Sequence, residues 1–117
     1  MTFSRYKVER KFARYALDVR ATLSAGNGDM RVRTLDISES GVGLVSPGEI
    51  PERDSFVIEF EFPTVPGVFR TEVHVQSRVG FRYGFSFVDV DESSMALLRK
   101  YQRRWGILAK ENYAARD

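Results

Sequence analysis

Met30-Arg31-Val32-Arg33-Thr34-Leu35-Asp36-Ile37-Ser38-Glu39-Ser40-Gly41 is the stretch on which the reading of this chain turns. Met30, Val32 and Thr34 fall on one face of an extended segment, and Arg31 and Arg33 on the other. Period two is the pattern of a half-buried strand. At Leu35 and Ile37 the apolar phase changes. A slip of one residue turns every later side chain over, so the change predicts a bulge or bend where the strand ends. There a carboxylate, a hydroxyl and a glycine follow within six residues. Asp and Ser side chains bond readily to backbone amides or to a ligand's donors, and Gly admits positive φ or close contact with a guest. Taken alone, D-x-S-x-x-G reads as a turn closed by an Asp side chain and a glycine.

Working outward, Tyr15, Leu17, Val19, Ala21 and Leu23 alternate with Ala16, Asp18, Arg20, Thr22 and Ser24, which predicts one strand. Ala25-Gly26-Asn27-Gly28-Asp29 is a hairpin connection. Downstream, Val42, Leu44 and Val45 form a short strand stopped by Ser46-Pro47-Gly48, and Pro51 and Asp54 bound a loop. Phe56, Ile58, Phe60 and Phe62 alternate with Val57, Glu59 and Glu61, and Pro63 and Pro66-Gly67 close that strand. Phe69, Thr71, Val73, Val75 and Ser77 are the expected inner face of the next, with Arg70, Glu72, His74 and Gln76 outward. Phe81, Tyr83, Phe85 and Phe87 are the expected core of the last.

From Ser93 the period changes. Met95, Leu98, Tyr101, Trp105 and Leu108 recur every three or four residues, opposite Arg99, Gln102, Arg103 and Lys110. This predicts an amphipathic helix over about 93–110, N-capped by Asp91, Ser93 or Ser94. The expected fold is mainly β: a six-stranded antiparallel barrel whose one C-terminal helix lies across an open side or end.

At 117 residues, 43% hydrophobic and 13% aromatic, the chain has the size and composition of one folded domain. It has no cysteine, which excludes disulfides, thiolate metal sites and cysteine nucleophiles. No apolar run has the length of a membrane span, and the first residues lack the apolar core of a signal peptide. The expectation is a cytoplasmic protein without membrane insertion. Net charge is only +2, against a general role on DNA or RNA, but it is unevenly placed. Residues 1–14 hold Arg5, Lys7, Arg10, Lys11 and Arg14 against the single acid Glu9. Such an arm is a solvated tail or a segment that orders on an anion.

Arg10-Lys11-Phe12-Ala13-Arg14, followed after residues 15–35 by Asp36-Ile37-Ser38-Glu39-Ser40-Gly41, resembles the signature of the PilZ domain family, receptors for the bacterial second messenger cyclic di-GMP. The predicted barrel with its terminal helix, and Gly84-Phe85-Ser86-Phe87 before that helix, are similar to the family as well. The resemblance implies a flexible basic arm over 1–14 and a barrel domain over 15–117. It also implies ligand binding in place of catalysis, with cyclic di-GMP as ligand and no cofactor. Arginine forks pair bidentately with phosphate or with guanine O6 and N7, and a carboxylate accepts from guanine N–H groups. On the matching positions Arg10 and Arg14 would clamp phosphate and guanine edges, and Asp36 would accept from a guanine. Ser38 would bond ligand or loop, and Gly41 would permit close approach. Lys11, Glu9 and Ser40 are accessory positions.

The residue before the first arginine bears on whether such domains take one ligand molecule or two, and here it is the acid Glu9. The family further implies a downstream protein partner, the sequence naming none, and processes such as motility and biofilm formation. The alternative is a PilZ-like scaffold in motility or pilus assembly that binds no nucleotide; members of that kind typically lack the arginine pair.

Other candidates carry less. His74, the only histidine, falls on a polar strand face without metal-ligating companions. Glu59 and Glu61 read as a solvated face, not a catalytic carboxylate pair. Ser38 has neither a companion histidine nor a G-x-S-x-G setting. Alternation places Phe81–Phe87 in the core and not on a base-stacking surface, and Arg78 and Arg82 read as solvated.

Overall fold

The alternation becomes an inside and an outside in the computed structural model, which describes residues 13–26 and 28–116, with side chains as far as Trp105 in the last helix. Seven strands precede one helix: β1 (Tyr15–Ala16), β2 (Arg20–Ser24), β3 (Asp29–Ile37), β4 (Gly41–Val45), β5 (Phe56–Phe62), β6 (Val65–Val79), β7 (Arg82–Val88) and α1 (Glu92–Arg116). The sheet order is β1-β3-β2-β5-β6-β7-β4, and β4 also pairs with β3. Six strands, β2 to β7, therefore close an antiparallel barrel, and β1 is a short addition at the end of β3. Closure removes the free edges that an open sheet would leave.

Phe56, Ile58, Phe60 and Phe62 all point inward from β5. Fully buried Phe69 stacks on Phe60 with centroids 4.9 Å apart and meets the rings of Phe62 and Phe87 at 5.7 and 5.3 Å. Moving one such ring out of water contributes about 1.5–3 kcal/mol. Exposed ion pairs contribute about 0–1 kcal/mol each, so the aromatic interior decides the fold.

Helix α1 covers one side of the barrel with Leu98 and Tyr101, the latter stacked 4.8 Å from Phe62. Asp91 is the N-cap, accepting from the Ser94 amide at 2.8 Å and the Ser93 hydroxyl at 3.1 Å. Ser94 itself joins helix to barrel: its hydroxyl accepts from the Arg70 amide and donates to the Arg70 carbonyl, both at 3.2 Å. Among the described residues no helix is long and apolar enough to cross a membrane.

Three expectations need correction. The first predicted strand divides into β1 and β2, because Thr34 turns its hydroxyl into the ladder. Thr34 Oγ1 donates to Leu17 O at 2.7 Å and accepts from Val19 N at 2.9 Å, replacing regular pairing between the two pieces. In β6 the inward alternation ends at Val73: Val75 and Ser77 are exposed, because a register shift follows Val75 and the strand runs on beyond the core. Phe81 is not core. It lies in the β6–β7 turn and is 53% exposed, and β7 begins only at Arg82.

Candidate ligand-binding site

Two irregularities frame the site. The β3–β4 register shifts between Thr34 and Asp36, the bulge announced by the phase change. Thr34 points inward, Leu35 is 37% exposed, and Ile37 is fully buried, so Asp36 is carried to the outer surface between them. The second shift, between Val75 and Ser77, likewise turns Ser77 outward, opposite Gly84 on β7. Bulges re-aim side chains at sites. Between the two lies an open depression of about 640 Å³.

Arg14 and Asp36 meet on its wall, where the guanidinium of Arg14 donates to Oδ1 of Asp36. Both side chains are partly exposed, so each keeps capacity for a guest. Arg14 brings a fork with further N–H donors, and Asp36 a second carboxylate oxygen. The rest of the lining comes from Ser40, Gly41 and Val42 on one side and Gln76, Ser77, Gly84, Phe85 and Ser86 on the other. The Gln76 amide donates to Ser86 Oγ at 3.0 Å. The lining combines an ion pair and hydrogen-bonding side chains with the apolar Val42 and Phe85, suited to holding a polar ligand that also carries a flat ring.

The other motif positions have different tasks. Ser38 is buried and does not line the depression. Its hydroxyl lies 3.0 Å from that of Ser40 and accepts from the Ser40 amide at 3.2 Å, while its own amide donates to Gly41 O at 2.9 Å. It closes the turn that joins β3 to β4. Gly41 is needed for strand packing, since a Cβ there would lie 2.2 Å from the carbonyl oxygen of Phe85. Ser40 faces the depression, and its carbonyl accepts from Phe87 N at 2.9 Å. Arg10, Lys11 and Glu9 lie outside the described residues.

The PilZ domain model matches residues 9–103. The chain belongs to the PilZ family. The PilZ domain of Escherichia coli YcgR with c-di-GMP superposes with a TM-score of 0.62 at 23% identity, over 92% of this chain and 97% of that one. A longer YcgR chain in complex with c-di-GMP gives 0.63 at 24% identity, over 92% of this chain and 49% of that one. The Bacillus subtilis inhibitor of motility MotI/DgrA gives 0.66 at 16% identity, over 81% and 50%. At these identities the likeness is one of fold. The chain spans about half the length of MotI and of the longer YcgR chain. Comparison with curated proteins gives no match.

Within this PilZ domain, sequence reasoning missed Gly43 and the β6–β7 side of the depression. A Cβ at Gly43 would lie 2.6 Å from Asp36 Oδ1 and 3.6 Å from the Arg14 guanidinium, so its absence makes the room in which the pair forms. The signal was a second glycine inside a strand, which often marks close approach. Gln76 and Ser77 carried a fainter one, since an alternating strand turned polar after Val75. The helix also reaches the site: Arg99 pairs with Glu39 of the turn at 3.4 Å.

Proposed function

We propose that this PilZ domain is a receptor for cyclic di-GMP that binds its ligand without converting it. The reading is supported above all by one observation: Arg14, from the first motif, and Asp36, from the second, come together on the wall of an open polar depression. Arg14 and Arg10 would supply the forks for phosphate and the acceptor edge of guanine, and Asp36 would accept from guanine N–H groups. Ser40, Gln76 and Ser86 would complete the polar contacts. Ser38 and Gly41 would act through the turn and the strand packing they maintain.

Ligand would then order the arm of residues 1–14 over the barrel and change the surface shown to a second protein. YcgR, whose PilZ domain is similar in fold and holds c-di-GMP, and MotI, an inhibitor of motility, support the same reading. Calorimetric titration of cyclic di-GMP into wild type, Arg14→Ala and Asp36→Ala tests the first step. Saturable heat in wild type, lost in both variants while their circular dichroism is unchanged, is the expected result. Equal binding by all three would overturn the assignment. Hydrogen exchange of the arm amides with and without saturating ligand tests the second step, and identical rates would refute the ordering.

A further inference from the structure

We propose that Arg20, Arg31 and Arg33 form a second anion site, separate from the depression of Arg14 and Asp36, that takes a phosphate monoester carried on a flat or apolar body. The three arginines line one open depression of about 400 Å³ on the outer face of the β2–β3 hairpin, walled by Val45, Ser46 and Pro47. It shares no lining residue with the first depression. The proposal therefore stands whether or not cyclic di-GMP binds there.

Charge placement carries the inference. Arg20 is the direct cross-strand partner of Arg33, and Arg31 follows on the same face opposite Thr22. Like charges placed opposite each other in a sheet oppose pairing. Several other surface arginines are each matched with an acid, as in Arg70–Glu59, Arg78–Glu49 and Arg99–Glu39. In this cluster the one such match among the described residues is Arg33 Nε to Asp18 Oδ1 at 2.5 Å. Two positive charges and part of a third are left facing one hollow. A phosphate dianion, with three acceptor oxygens, suits several guanidinium forks better than a single carboxylate does. Val45 and Pro47 supply an apolar wall on which the body of an ester, such as a nucleoside, can rest.

The test is titration of the full chain with adenosine 5′-monophosphate, followed by NMR at the arginine Nε–H groups, with inorganic phosphate in parallel and sodium chloride at matched ionic strength. Saturable shifts at Arg20, Arg31 and Arg33, and at the Val45 amide, are expected, with the nucleotide tighter than inorganic phosphate. Arg20→Gln with Arg31→Gln should weaken binding at least tenfold. Asp18→Asn removes the competing carboxylate and should tighten binding two- to fivefold, a gain that damage to the fold cannot imitate. Shifts that mirror the chloride control, centre on Arg14, survive the double substitution or show no preference over inorganic phosphate would overturn the proposal.

Discussion

The hydroxyl of Tyr101 donates a 2.6 Å hydrogen bond to the carbonyl of Ala16, joining the helix to the chain two residues after Arg14. Next to it the ring of Tyr15 meets Trp105 edge-on at 5.9 Å. The root of the arginine arm is therefore held by the helix as well as by the barrel. A single intramolecular hydrogen bond contributes about 0.5–1.5 kcal/mol net. Tyr101→Phe should cost about that much in denaturant unfolding and should also weaken cyclic di-GMP binding several-fold, since Arg14 loses its fixed base. Unchanged affinity alongside the stability loss would show that Arg14 is positioned by Asp36 alone.

The same phenol gives a pH signature. Burial raises the pKa of Tyr101 above its ordinary value of 10.0. The folded state thus holds the proton more tightly than the unfolded state. Its contribution to stability is complete below pH 10.0 and is lost as pH rises through the higher folded value. Thermal unfolding of wild type should therefore fall more steeply above that pH than unfolding of Tyr101→Phe.

At the acid end the relevant group is Asp91. The Ser94 amide, then the Ser93 hydroxyl, hold its carboxyl below the ordinary 3.8. Here the unfolded state binds the proton more tightly, so the cap's contribution is present above pH 3.8 and is lost as pH falls through the lower folded value. Asp91→Asn retains a capping oxygen but should flatten this part of the acid unfolding curve, whereas Asp91→Ala should lower the Tm at neutral pH.

Gly41 and Gly43 should separate folding from binding. Alanine at 41 puts its Cβ against the backbone of β7, which can yield only by moving a strand, and such overpacking costs about 1–3 kcal/mol. Alanine at 43 meets the free end of a side chain, the Asp36 carboxylate. Gly43→Ala should therefore keep most of the Tm yet reduce cyclic di-GMP affinity about tenfold, a loss of about 1.4 kcal/mol. Parallel melting curves and titrations of the two variants decide this.

Phe69→Ala removes the ring on which three others converge, and should cost about 3–5 kcal/mol in urea unfolding.

Much of this was legible in the residues. Strict alternation in Phe56–Phe62 and the change of period at Ser93 gave barrel and helix, since burial on one face imposes the period directly. The bulge before Asp36 could be read because it disturbs an apolar pattern. The bulge after Val75 could not, because polar residues follow it and no apolar phase is left to shift. Likewise Phe81 looked like core from its neighbours, whereas its exposure depends on how far β6 and β7 extend past the barrel, which is a property of pairing across the sheet. The meeting of Arg14 with Asp36 was legible only through the family's motif pair, and the role of Gly43 depends on contacts that no spacing encodes.

The hairpin of β6 and β7 has two sides with different neighbours. Gln76, Ser77 and Gly84 line the Arg14–Asp36 depression, while Val75, Arg78 and Tyr83 line a cleft against Ile50–Asp54. The hairpin is thus a partition between two compartments, and its tip carries exposed Val79 and Phe81. Neighbouring residues on each strand, Val75 beside Gln76 and Tyr83 beside Gly84, serve opposite compartments, so a single two-stranded ribbon forms a wall of both.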